Sequence, residues 1–192
     1  VVRAEAPAPG QVQRAADALR ETKRPVVLAG HGAARADATA ALVRFSEELG
    51  VPVANTFHGK GVMPDDHANS MGTIGFMRHD YVNFGFDDAD LIIAVGYELQ
   101  EFDPVRINPD ADKRIIHVHR FPAEVEAHYS VDVGIIGDIS ASLDAVRESM
   151  AGRRFDEEEC APGADLLAEE FARGQADSRF PLAPQRIVAD TR

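Results

Sequence analysis

The chain has 192 residues, 45% of them hydrophobic, and a formal charge of −12 from 20 basic and 32 acidic side chains. Such acidity disfavours a polyanionic partner, whether nucleic acid or an anionic membrane surface. A single cysteine, Cys160, precludes an internal disulfide framework, and no apolar run approaches the ~20 residues needed to span a bilayer, so a reducing cytoplasm is the expected setting.

The first ten residues, "VVRAEAPAPG", hold two prolines and read as an extended linker. Val12, Ala15, Ala16 and Leu19 then recur at helical spacing. "RPVVLAG" predicts a short buried strand that starts on proline and stops on glycine. A helix over Ala34–Leu49 follows, with Ala38, Leu42, Phe45 and Leu49 on one face and Gly50 as its stop. "VPVANT" predicts a second strand, "TFHGKGVMPDDH" a turn with a short helix, "SMGTIG" a third strand and "HDYVNFGFDDAD" a helix. "LIIAVG", "RIIHVH" and "VGIIGD" are three more strands, and the last leads into the helix "ISASLDAVRESM". These strands are β-branched runs without polar alternation, the pattern of strands buried on both faces. The expected fold is α/β: a doubly wound, mostly parallel six-stranded sheet with helices on both faces, over residues 10–150. Beyond Met150 the chain reads as a charged connector, a short helix "ADLLAEEFARG" and the entry to another helix in "FPLAPQRIVADTR".

Several stretches carry candidate chemistry. "AGHGAAR" sets Gly30 and Gly32 at a strand–helix turn, where free N–H groups and small residues suit a close ligand. The dinucleotide fingerprint is incomplete, because Arg35 stands where a third small residue belongs and Asn55-Thr56 where an acid would close on a ribose. His117 and His119 lie two apart on a strand and so share a face. With Arg120, His119 sits at the strand's carboxyl end, where a phosphate could be met. A metal there would need a third ligand that the sequence does not indicate. Glu98, Glu101 and Asp103 follow "LIIAVGY". They read either as an acid/base pair or as groups that bind water, cap the turn or pair with Arg106 and Lys113. Asp138 in "GDIS" either caps the next helix or reaches a ligand hydroxyl. Cys160 follows "DEEE", whose charge opposes a reactive thiolate. Gly59-Lys60-Gly61 forms no Walker pattern, and a sirtuin-type deacylase would need a zinc-binding cysteine set that one cysteine cannot supply.

"KRPVVLAGHG", "ELGVPVANTFHGKGVMPDDH", "GTIGFM", "DADLIIAVGY", "KRIIHVHRFPAEVEAHY" and "IIGDISASL" occur in an order that resembles the central domain of thiamine-diphosphate-dependent enzymes, in particular the large, catalytic subunit of acetolactate synthase. The resemblance implies a parent enzyme in which flanking N- and C-terminal domains hold thiamine diphosphate and Mg2+ across a subunit interface of a homo-oligomer. Residues 1–9 would then lead from the first of these domains and residues 151–192 into the other. Such an enzyme decarboxylates pyruvate and joins the product to a second 2-oxo acid, the coenzyme supplying the carbanion chemistry. The resemblance places no catalytic residue and no metal ligand in this chain. In biosynthetic members the middle domain holds a non-redox FAD, while other relatives use the crevice for ADP or CoA, or leave it empty. Those contacts would fall on Gly30, His31, Gly32 and Thr56; on Gly75, Phe76 and Met77; on Gly96, Tyr97, His119 and Arg120; and on Gly137, Asp138 and Ile139. Flavin-binding members follow the glycine equivalent to Gly96 with arginines. Here "GYELQEFDP" has none before Arg106, and it resembles the catabolic acetolactate synthases, which do not need flavin. An oxalyl-CoA decarboxylase or glyoxylate carboligase is the alternative parent.

Overall fold

The structure is a computed structural model that describes residues 5–75, 81–156 and, in the tail, 169, 172–176, 179–180, 186–187 and 190. Its elements run α1 (Pro9–Glu21), β1 (Pro25–Ala29), α2 (His31–Arg35), α3 (Thr39–Leu49), β2 (Val53–Asn55), β3 (Ser70–Thr73), α4 (Tyr81–Asp87), β4 (Leu91–Val95), a 3-10 turn (Pro104–Arg106), β5 (Arg114–His119), β6 (Val133–Ile136) and α5 (Ile139–Ser149). The six strands form one sheet in the order β3-β2-β1-β4-β5-β6, and every neighbouring pair is parallel.

Every residue of β1 and β4 is buried, which is why these strands carry no polar alternation. Val27, Ala29, Ile93 and Val95 face a core closed by α1, α3 and α5 through Leu19, Leu42, Phe45 and Leu143. Val26, Leu28, Ile92 and Ala94 face a second core, closed by Phe86 of α4 and by Tyr97, Phe102 and Tyr129 from the long loops after β4 and β5. From β1 the chain winds outward to β2 and β3, then returns to β4 on the other side of β1. The connections therefore diverge between β1 and β4, and a crevice opens at their carboxyl ends.

The helix expected over Ala34–Leu49 is two helices. Asp37 adopts φ 52° and breaks the run between α2 and α3. Aspartate is among the few residues that visit this left-handed region readily. The apolar stripe nonetheless sits as the periodicity places it, with Ala38, Leu42, Phe45 and Leu49 all buried. Residues 57–67 form consecutive turns without the short helix expected there. Both flanks fasten onto the body. The Asp138 N–H donates to the Glu5 carbonyl (2.8 Å) and the Phe155 N–H to the Leu49 carbonyl (2.7 Å). Phe155 is buried beneath the Arg153 guanidinium, 5.0 Å from its ring centroid.

Candidate functional site

The crevice is built from four turns. The Gly30 N–H donates to the Val95 carbonyl (2.9 Å) and the Gly32 N–H to the Gly96 carbonyl (2.7 Å), so the turn after β1 lies directly on the turn after β4. Gly96 has φ 62°, and a Cβ on it would stand 2.1 Å from the Ala33 nitrogen. Only glycine serves there.

Glu101 reaches back into this junction. Its Oε2 accepts from the His31 N–H at 2.8 Å and from the Thr56 hydroxyl at 2.7 Å; its Oε1 accepts from the Glu98 N–H at 3.0 Å. Thr56 Oγ1 also takes the Gly59 N–H at 3.0 Å, so its one proton goes to Glu101. Of the other two carboxylates, Asp103 caps the 3-10 turn by accepting from the Val105 N–H (3.1 Å). Glu98 lies beside His119, with Oε1 3.6 Å from Nε2. Lys113 donates to the Asp87 and Ala89 carbonyls rather than to these acids.

The two histidines share a face, as their spacing requires, with rings stacked 5.6 Å apart. His117 donates from Nε2 to the Phe121 carbonyl (3.3 Å), and its Nδ1 accepts from the Tyr129 hydroxyl (2.8 Å). Burial, then repulsion from His119, lowers its pKa to about 4, so the ring is neutral. His119 accepts the Phe121 N–H at Nδ1 (3.2 Å). Its proton therefore sits on Nε2, a buried atom with no hydrogen-bond partner. Burial lowers its pKa despite the pull of Glu98 and Glu101, so its contact with Glu98 is not an ion pair at neutral pH. Tyr97 and Tyr129 pack at 5.2 Å. Burial above all, and the Glu101 carboxylate for Tyr97, hold both phenols protonated, and the Tyr97 hydroxyl donates to the Phe102 carbonyl. Tyr97, Glu98, His117, His119, Phe121 and Tyr129 help line a cavity of about 270 Å3.

Gly30, His31, Gly32, Thr56, Gly96, Tyr97 and His119 thus meet at one crevice. Arg120 lies exposed just past β5. Gly75 sits beyond β3, where Asn83 bonds both its N–H and its carbonyl (3.2 Å each). Phe76 and Met77 lie outside the described residues. At the end of β6, Gly137 packs against the Glu5 carbonyl, where a Cβ would come within 2.8 Å. Asp138 caps α5 through the Ala141 N–H (3.0 Å), and Ile139 is buried in the helical core. The residue that sequence reasoning missed as a crevice occupant is Glu101, and no local pattern links it to His31, 70 positions away. Among the described residues, no group of three or more histidine, cysteine, aspartate or glutamate side chains could hold a metal ion.

Residues 12–146 match the family model described as thiamine pyrophosphate enzyme, central domain. The chain is 30% identical over 189 residues to the acetolactate synthase large subunit of Corynebacterium glutamicum, covering 94% of this chain and 30% of that one. It is 28% identical over 187 residues to the glyoxylate carboligase of Escherichia coli O157:H7, covering 94% and 32%. It therefore spans about a third of the length of these relatives. A solved structure from Mycobacterium smegmatis, of a protein assigned to the thiamin diphosphate-dependent enzymes, superposes with a TM-score of 0.64 at 23% identity, over 82% of this chain and 30% of that one. That likeness supports the fold.

Proposed function

This chain belongs to the central-domain family of thiamine pyrophosphate enzymes, and from that membership we propose that it is the middle domain of an acetolactate-synthase-like transferase. The parent decarboxylates pyruvate and condenses the product with a second 2-oxo acid, in the cytoplasm and as a homo-oligomer. The acetolactate synthase relatives support this reading. Thiamine diphosphate and Mg2+ would be held by the parent's other domains, in keeping with the membership in a central-domain family. The domain's task is architectural: it braces the catalytic domains and is inactive alone. Its crevice is not a tight flavin site.

The observation that carries the last point is the seating of Glu101. A flavin dinucleotide would bring its diphosphate to the N–H groups of the turn after β1, and the His31 N–H is already given to a carboxylate. The crevice residues fit FAD poorly while Glu101 is in place. Full-length enzyme that forms acetolactate from pyruvate, and that purifies without flavin absorbance, would bear this out. Micromolar binding of FAD or ADP in calorimetric titration would overturn the empty-crevice part. A glyoxylate carboligase is the second reading, supported by the Escherichia coli relative. Turnover of glyoxylate in place of pyruvate would select it.

A further inference from the structure

We infer that Glu101 is a built-in anion: its carboxylate occupies the place in the crevice where the phosphate or carboxylate group of a ligand would bind, and so sets the crevice's specificity against anionic ligands. The inference rests on the reading that the crevice is not a tight flavin site.

Three donors from three separate segments converge on this one side chain: the His31 N–H at the turn after β1, the Thr56 hydroxyl after β2 and the Glu98 N–H after β4. A carboxylate that only capped its own loop would need the last alone. Charge-assisted bonds of this kind are about twice as strong as neutral ones, so the cradle is an anion site with its occupant attached. Gly30 is cut to the same shape. A Cβ on it would stand 2.6 Å from Glu101 Oε1 and equally 2.6 Å from the Gly96 carbonyl oxygen and the Tyr97 Cα, so no side chain at position 30 can intrude on the cradle.

A second observation points independently to a ligand. The His119 side chain is 5% exposed, its Nε2 has no hydrogen-bond partner, and it abuts the same turn, 2.6 Å from where a Cβ on Gly32 would lie. Because Nδ1 takes the Phe121 N–H, Nε2 presents a fourth donor that Glu101 leaves unused; Glu98 Oε1, 3.6 Å away, stands too far off to accept it. An unsatisfied buried donor is costly. An acid larger than one carboxylate would engage both it and the cradle.

The test uses the full-length protein with Glu101→Ala, titrated calorimetrically with acetate, inorganic phosphate and pyrophosphate, and followed by thermal melting. Each anion should bind the variant saturably, at least about tenfold more tightly than wild type, and raise its melting temperature. Pyrophosphate should exceed phosphate, because it alone reaches toward His119, and the acetate arm separates carboxylate from phosphate preference. Adding Thr56→Val should weaken binding several-fold. A folded Glu101→Ala that gains no saturable anion binding overturns the inference, as do equal responses from wild type or indifference to Thr56→Val. If Glu101→Ala does not fold, Glu101→Ser takes its place: it too vacates the cradle while keeping a small polar group in the loop. It should show the same gain, and its absence is equally fatal. Tight FAD or ADP binding by wild type would instead refute the reading beneath. Wild type that binds neither, with a variant that gains nothing, refutes only the role given to Glu101.

Discussion

Single residues here are tuned by burial more than by charge. His117 is neutral because burial, then His119, lowers its pKa to about 4 from an ordinary 6.5. The unfolded chain therefore takes up a proton that the folded domain refuses as pH falls from about 6.5 to about 4. The contribution is fully present above pH 6.5 and is lost across that window, by on the order of 3 kcal/mol in total. Denaturant titrations at pH 7.5 and pH 5 should show the fall. His117→Gln, less stable at pH 7.5 through loss of its bond to Tyr129, should have the flatter pH profile; an unchanged slope would refute the assignment. Gly96→Ala is the harsher change, since it combines φ 62° with a contact 2.1 Å from Ala33. We expect a loss of about 3 kcal/mol or more, or no folded protein, by thermal melting. The glycine turns and the shared face of His117 and His119 were legible in the sequence, because period and turn chemistry are local. Glu101 was not: its partners His31 and Thr56 reach it only through the sheet, and its neighbours Glu98 and Asp103 looked equivalent until the fold seated Glu101 in the junction, made Asp103 a cap and set Glu98 beside His119.

Elements were easier to foresee than their ends. All six strands lie on the stretches read as strands; for β1, β2 and β4, buried at every residue, two-sided burial writes itself into composition, whereas β3 is half-buried throughout. The Ala34–Leu49 helix divides at Asp37 because the chain must leave the crevice before it packs α3, and the apolar stripe alone does not record that bend. Asp138 presents the opposite case, where a sequence reading left capping and ligand contact both open. Its carboxylate accepts the Ala141 N–H, and its own N–H holds the Glu5 carbonyl. Asp138→Ala removes only the first of these. It should cost about 1 kcal/mol by chemical denaturation, and Asp138→Asn, also a good cap, should recover most of that. A loss that asparagine does not recover would mean that the carboxylate does something other than cap α5.

For the whole molecule, the question is where the folded unit stops. The character of the sequence changes after Met150 and before Pro9, yet packing runs past both points. Residues 5–8 lie against the end of β6, where Gly137 has no side chain to hold them off. On the other flank, Gly50 ends α3 at φ 68°, and a Cβ there would meet the Phe155 carbonyl at 2.5 Å. Phe155 completes the helical core beside Leu49. The two flanks are thus fastened to opposite ends of the helical layer, one over α5 and the other under α3. Burying a phenylalanine is worth about 2–3 kcal/mol, and the flanking backbone bonds add roughly 1 kcal/mol each. A chain cut to residues 10–150 forfeits both flanks. It should melt on the order of 10 °C below one spanning residues 5–156, and Phe155→Ala in the longer chain should reproduce much of that gap. Equal melting temperatures would show that the connectors only rest on the domain. A gap of the expected size would mean that both flanks belong to the folded unit and are held by the helical layer, as the architectural role proposed above calls for.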